Sequence, residues 1–448
     1  MTKTTEKNQP KNLSRRKFLN AAATTAASSF LIPRFAHANK KHTLRILQWN
    51  HFVPEFDNWF DHSFVKKWSD EHDTEVIIDR VGMTSLNSRA KAEINKQSGH
   101  DLFMFLRPPS SYEDQVINHD EIYQECSNRF GKPNDIALKS TYNPKTNKYF
   151  GFSDSYVPDP VNFRQDLWDD VGIYPNTWDD IRRGGSKIYQ RHGIPIGLGL
   201  APELDSNMAL RSLMHSFGAS VQKEDGSLNL MTPQTLEALR FTRALYNESM
   251  TEEVFTWDPS SNNRMMLAGH GSLSLNAISI TRTGETQKIP LSNRIALAPA
   301  AAGPVARIGV NHLMHIYTIW KFARNIEGAK QFLIDYVGEF REAFIASKFY
   351  NFPCFPDTVP DIMQLIAKDP NANPQNKYAI LSNVEEWTTN LGYPGYANAV
   401  IDETFSSWII STMFADAARD RMTPEEALKI ANLKVRAIHD KWTAQGKV

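Results

Sequence analysis

Near the start of the chain three short apolar segments alternate with two helical repeats, and this alternation constrains the fold more than any other feature. Leu44-Arg45-Ile46-Leu47-Gln48-Trp49 reads as a buried strand. Phe60, Phe64 and Trp68 then recur at four-residue spacing, the apolar stripe of a helix. Glu75 to Asp79, around Val76-Ile77-Ile78, is a second strand, and Leu86, Ala90 and Ile94 mark a second helix. Asp101 to Phe105 is a third strand. A βαβαβ run of this kind implies a mostly parallel sheet covered by helices. Such sheets bind ligands beyond the carboxyl ends of their strands. Those ends are Trp49-Asn50-His51 and Leu106-Arg107-Pro108-Pro109-Ser110.

Residues 14–19 read Ser-Arg-Arg-Lys-Phe-Leu. Arg15 and Arg16, with Ser14, Phe18 and Leu19 at their expected offsets, form a twin-arginine export pattern. An ordinary secretory signal also has a basic start, but it does not require those flanking residues. Asn20 stands where a lysine is common. The weakly apolar stretch Ala21 to Ile32 and the triplet Ala36-His37-Ala38 complete a signal peptide over 1–38, cleaved after Ala38. The expected site of action is the periplasm, or the exterior of a host without an outer membrane. No lipobox cysteine lies near Ala38.

The remaining roughly 410 residues suit two domains. No later segment offers the ~18 consecutive apolar residues of a membrane span. The whole chain carries 50 basic and 50 acidic residues. Because the signal is strongly basic, the rest is mildly acidic, which argues against nucleic acid as a partner. Cys126 and Cys354 are the only cysteines, and either a disulfide or two buried thiols fits them.

Enzyme signatures are missing. The sequence has no G-x-G-x-x-G, P-loop, H-E-x-x-H, G-x-S-x-G, C-x-x-C or EF-hand loop. His312 and His315 are three apart, and within a strand over 310–319 they face opposite sides and share no metal ion. Carboxylate pairs such as Asp169-Asp170 and Glu385-Glu386 read as helix starts or solvated faces; a glycosidase pair would need a separation that sequence does not give. The expectation is therefore a protein without cofactor, metal or catalytic residues.

Helix starts are well marked. Thr177 with Asp180, Thr232 before Pro233, and Thr423-Pro424-Glu425-Glu426 are capping patterns. Leu428, Ala431, Val435 and Ile438 form a buried stripe behind the last, and Ile326, Ala329, Leu333, Tyr336 and Phe340 form another long helix. Gly151 to Pro160 suits a crossing between lobes.

Several segments in order resemble the sugar-binding branch of the extracellular solute-binding proteins of ABC importers. Asn162-Phe163-Arg164-Gln165-Asp166-Leu167-Trp168 is similar to that family's aromatic-Arg-x-Asp-Leu-aromatic element, and Pro175-Asn176-Thr177-Trp178-Asp179-Asp180 to its Pro-x-Thr-Trp-Asp-Glu element. Leu267 to Leu273 resembles its Gly-rich turn before an apolar strand ending in Asn276. Ile295 to Pro299 resembles the strand that crosses back to the first lobe. Asn325 to Phe332, Phe352 to Pro356 and the 423–438 helix resemble its later elements. Two features depart from the pattern: Gly184-Gly185 inside a helix, at roughly 1 kcal/mol each relative to Ala, and no stacking aromatic after Asn276.

The resemblance implies an α/β, two-lobed periplasmic-binding-protein fold of the type II kind. Each lobe would be a mostly parallel sheet flanked by helices, with hinge crossings. One lobe would comprise 39–153 plus 294–350, the other 154–293 plus 351–448. It also implies a small-molecule ligand, most simply a sugar, and an ABC transporter permease as partner, with the twin-arginine translocase serving export. The protein would be a monomer and would catalyse nothing. Position in such a fold makes Trp49, His51, Arg107, Asp154, Tyr156, Trp257, Asp258, Asn276, His312, Trp387 and Tyr393 the candidate ligand contacts. Trp49 either stacks on a sugar or plugs the core, and Arg107 either forks onto the ligand or makes an ion pair. The competing readings are the same receptor for a polyamine, metal complex or phosphorylated polyol, and an exported glycoside hydrolase.

Overall fold

A computed structural model describes residues 40–448; the export signal at Arg15 and Arg16 and the cleavage site at Ala38 lie outside the described residues. The chain builds its first sheet from β1 (His42–Trp49), β2 (Thr74–Val81), β3 (Leu102–Phe105) and β4 (Phe152–Val157), and then leaves it. A second sheet uses β5 (Val161–Arg164), β6 (Ile196–Gly197), β7 (Leu273–Leu275) and β8 (Ile295–Ala298). The chain then returns with β9 (Leu313–Ile319) and β10 (Phe352–Pro353). The strand orders are β10-β4-β9-β3-β1-β2 and β8-β5-β7-β6.

The opening βαβαβ reading holds: β1 pairs in parallel with β2 and with β3. The sheets as wholes are mixed rather than mostly parallel. β9 runs antiparallel to β3 and β4, and β5 runs antiparallel to β7 and β8. The cause is the crossing: a strand returning from the other lobe enters the sheet from the opposite end. Ile295–Ala298 therefore belongs to the second sheet, paired with β5, and the return crossing follows it.

Two large hydrophobic cores flank the crossings, beside a small cluster of Met266, Ile280 and Ile295. One gathers Leu44, Ile46, Phe103, Ile316, Phe332 and Phe344; the other gathers Phe163, Trp168, Leu213, Leu239, Phe414 and Val435. Five helices matter below: α1 (Leu86–Lys96), α2 (Trp178–His192), α3 (Leu204–Ser216), α4 (Ala399–Ser406) and α5 (Pro424–Thr443). α2 and α5 each start with a full capping box, Thr177 with Asp180 and Thr423 with Glu426. The expected helix through Phe340 is broken at Glu339, so that Ile326–Gly338 and Phe340–Ala346 are separate.

Gly184 and Gly185 do not interrupt α2. A Cβ at Gly184 would lie 2.3 Å from the Trp168 ring, and one at Gly185 2.1 Å from Ile196 Cδ1. The helix accepts poorer propensity because its backbone packs directly on the core. Cys126 and Cys354 are both buried and unpaired, and burial pushes the Cys126 thiol up to about 12.

Candidate functional site

A cleft of about 400 Å³ opens between the two sets of elements. From the first lobe come Met83 and Leu86 beyond β2, Asn87 on α1, and Phe105, Leu106 and Arg107 at the end of β3. From the second come Glu203 and Leu204 at the start of α3, Trp257 and Asp258, and Phe405 and Trp408 at the end of α4. The site thus lies beyond the carboxyl ends of parallel strands, where peptide groups and side chains are free to meet a ligand. Its walls are aromatic and aliphatic, with a few charged and amide groups, the mixture small-ligand sites use.

Arg107 joins the lobes. Its guanidinium meets the Asp402 carboxylate of α4, and also donates to Ser406 Oγ at 2.9 Å and Asn87 Oδ1 at 3.3 Å. Asp402 in turn accepts from the Ser111 backbone N–H at 3.1 Å and from Ser111 Oγ. The pair is nearly dry, with side-chain exposures of 12 % and 3 %. With so little water, removing either partner would leave a buried charge without its counterpart, which is costly.

A second polar group lies at the crossings. Asp159 sits in the outgoing segment between Pro158 and Pro160, and His312 sits in the return segment before β9. His312 lies 3.3 Å from Asp159 and 3.6 Å from Asp205 of α3. Burial alone would lower the His312 pKa, but the two carboxylates outweigh it and raise it to about 9. Burial pushes Asp205 up to about 7 against the pull of His312. Asn262 donates to Asp205 at 2.7 Å. Asn276 donates to Asn263 at 2.6 Å and does not line the cleft.

Of the residues singled out in the sequence, Arg107, Trp257 and Asp258 line the cleft. Trp257 is half-buried, while Asp258 is exposed and paired with Arg264 at 2.8 Å. Trp49 is 3 % exposed and packs in a ring cluster with His51, Phe52 and His315. His51 is locked there: the Val53 N–H donates to Nδ1, and Nε2 meets Asn351 Oδ1 at 3.0 Å. Asp154 is buried in β4 and accepts from Ser155 Oγ; burial raises it to about 7. Tyr156 packs on Phe352 and borders a separate pocket with Glu385 and Glu386. Trp387 is buried beside Gly309, and Tyr393 packs on His215 with ring centroids 5.2 Å apart. The expected strand over 310–319 is interrupted, and His312 lies just before β9 while His315 lies within it; the two face different surroundings.

Sequence reasoning missed Phe405, Trp408, Glu203 and Met83. Their signal was faint. Phe405 and Trp408 belong to a segment whose apolar residues read equally as core, and only the position of α4 against Arg107 brings them to the cleft.

Known proteins place this geometry. No family profile matches the sequence. Among curated proteins, a binding protein of Brucella abortus (strain 2308) is 23 % identical over 171 residues, 37 % of this chain. That match spans only 41 % of the relative's length. Solved structures align over far more. An oligosaccharide periplasmic-binding protein from Synechococcus sp. MITs9220, in complex with zinc, matches with a TM-score of 0.74 at 15 % identity, over 89 % of this chain and 100 % of that one. The fold is that of the two-lobed periplasmic binding proteins. Maltose-bound T. maritima MalE3 matches with a TM-score of 0.71 at 16 % identity, over 88 % and 99 %. A sugar transporter protein of Arthrobacter chlorophenolicus A6 with bound laminaribiose also scores 0.71, at 14 % identity, over 88 % and 99 %.

Proposed function

We propose that this chain is the solute-binding receptor of an ABC importer. It captures a small carbohydrate or polyol in the interlobe cleft and delivers it to a membrane permease. The observation that carries this reading is the cleft itself, with aromatic and polar walls supplied by both lobes and a buried Arg107–Asp402 contact across it. Ligand contacts shared between lobes favour the closed arrangement over the open one, which is how hinged receptors signal occupancy. The structural neighbours described as bound to maltose or laminaribiose support a saccharide.

In this reading the twin-arginine signal over 1–38 directs export through its translocase, and the receptor works in the periplasm as a monomer. It catalyses nothing. Trp257, Phe405 and Trp408 cover the apolar face of the solute, and Arg107, Asn87, Glu203 and Asp258 meet its hydroxyls. The two lobes follow the cores, with hinge crossings at Asp159 and His312.

The test is a melting panel of mono- and oligosaccharides, polyols, polyamines and divalent metals. A ligand at a hundred times its Kd stabilises by roughly 2.7 kcal/mol. The expected result is a shift with one sugar or polyol class, the compound recovered unchanged. Consumption of the sugar, or a shift confined to metals or polyamines, would overturn the assignment.

A further inference from the structure

Helix α3 carries Asn207, Arg211 and His215 at four-residue spacing, a polar column on one face of a helix that is buried on every side. Arg211 is 0 % exposed, and none of its three guanidinium nitrogens meets an acceptor among the described residues. Asn207 Oδ1, His215 Nε2 and Thr404 Oγ1 are likewise buried without a partner. Native interiors pair their charges, because an isolated buried ion is among the costliest features a fold can hold. The carboxylates of α3 and α4 are engaged elsewhere. Asp205 faces His312 and Asn262, Asp402 faces Arg107 and Ser111, and Glu203 caps the first turn of α3. Burial lowers Arg211 to about 9, which still leaves it cationic at neutral pH.

The column lies directly behind the cleft. Arg211 Cζ is 5.6 Å from the centre of the Phe405 ring, and Arg107 Cζ is 5.3 Å from the same ring. Phe405 itself lines the cleft, and its carbonyl accepts from Asn207 Nδ2 at 3.2 Å. A single aromatic side chain therefore separates the solute space from an uncompensated guanidinium.

We propose that Arg211 is the anion subsite of the cleft, and that the solute is a sugar derivative bearing a negative group, a carboxylate or a phosphoryl ester. The fork of Arg211 takes two oxygens of that group, and the buried, unpartnered Thr404 hydroxyl supplies a further donor. Displacement of Phe405 opens the way from the cleft. This assignment rests on the receptor reading given above and narrows its substrate class.

The test compares glucose, glucuronate, glucose 6-phosphate and inorganic phosphate by calorimetry and melting of the full chain, wild type and Arg211→Met. An acidic sugar is expected to bind at least ~10-fold more tightly than glucose, and the variant is expected to lose about 10- to 100-fold of that affinity. The unliganded variant is expected to melt higher, since it no longer buries a lone charge. Glucuronate and glucose 6-phosphate separate the carboxylate from the phosphoryl group. Equal binding of glucose by both proteins, with no gain for the acids, overturns the anion subsite and leaves the receptor reading standing. A response to inorganic phosphate as large as to the sugar phosphate overturns the assignment to a solute. Silence toward every compound overturns the acidic-sugar assignment, and the wider panel of oligosaccharides and polyols then decides the receptor reading on its own. Should Arg211→Met fail to fold, the comparison of acidic and neutral sugars on the wild type still decides the matter.

Discussion

Raising the pH removes a proton that helps hold the two crossings together. His312 is raised from 6.5 to about 9 by Asp205 and Asp159, against the effect of its own burial. A group whose pKa is raised by folding contributes stability that is complete below the unfolded value and is lost as pH rises through the folded one. The window for His312 therefore runs from about pH 6.5 to about pH 9. At about 1.36 kcal/mol per pKa unit, the shift corresponds to about 3 kcal/mol, a large part of the stability of an ordinary domain. Asp154 and Asp205, raised to about 7 by burial, lose their contribution as pH rises from the ordinary carboxylate range through about 7, so their effect precedes and overlaps the start of this window. Glu203 is raised in the same sense by burial. The comparison with His312→Gln isolates the histidine. Urea denaturation at pH steps from about 6 to about 9 should show wild-type stability falling through the window, and the variant falling less steeply above pH 7.5, its remaining slope coming from Asp205 once His312 no longer lowers it. A wild type without slope there, or a variant with the same slope, would refute the charge assignment at the hinge.

Other outcomes follow from the same contacts. Asp402→Ala strands Arg107 at a nearly dry interlobe contact; losing one partner of such a pair costs about 3 kcal/mol, and small-angle scattering should register a larger radius of gyration. Gly184→Ala places a methyl group against Trp168 and should lower stability by about 1–3 kcal/mol in denaturant melts. Cys126 and Cys354 should react with a thiol reagent only after unfolding, and a reductant should leave the melting temperature unchanged.

The parts of the fold that were legible in the sequence are those governed by local rules. The period-4 stripe at Phe60, Phe64 and Trp68 buries one helix face, and the run ending Ile46 to Trp49 is buried on both faces of its strand, so together they announce the opening strand and helix directly. Capping residues Thr177 and Thr423 mark helix starts because their oxygens meet specific backbone amides. Strand direction at β9 was not legible, because it depends on which end of the sheet a crossing enters. The site was partly legible for the same reason. Arg107 follows the end of a parallel strand and reaches the cleft. Trp49 and His51, also beyond a strand end, turn into the ring cluster with His315. Arg211 carries no signal in the sequence, since nothing local tells that a helix will be buried all round.

The most direct test of the account is hydrogen exchange of the full chain with and without the solute that raises its melting temperature. The account predicts simultaneous protection at 83–87, 105–107, 202–204, 257–259 and 405–408, segments of both lobes around one cleft. Protection confined to one lobe, or centred on 381–386 beside Tyr156, would contradict it.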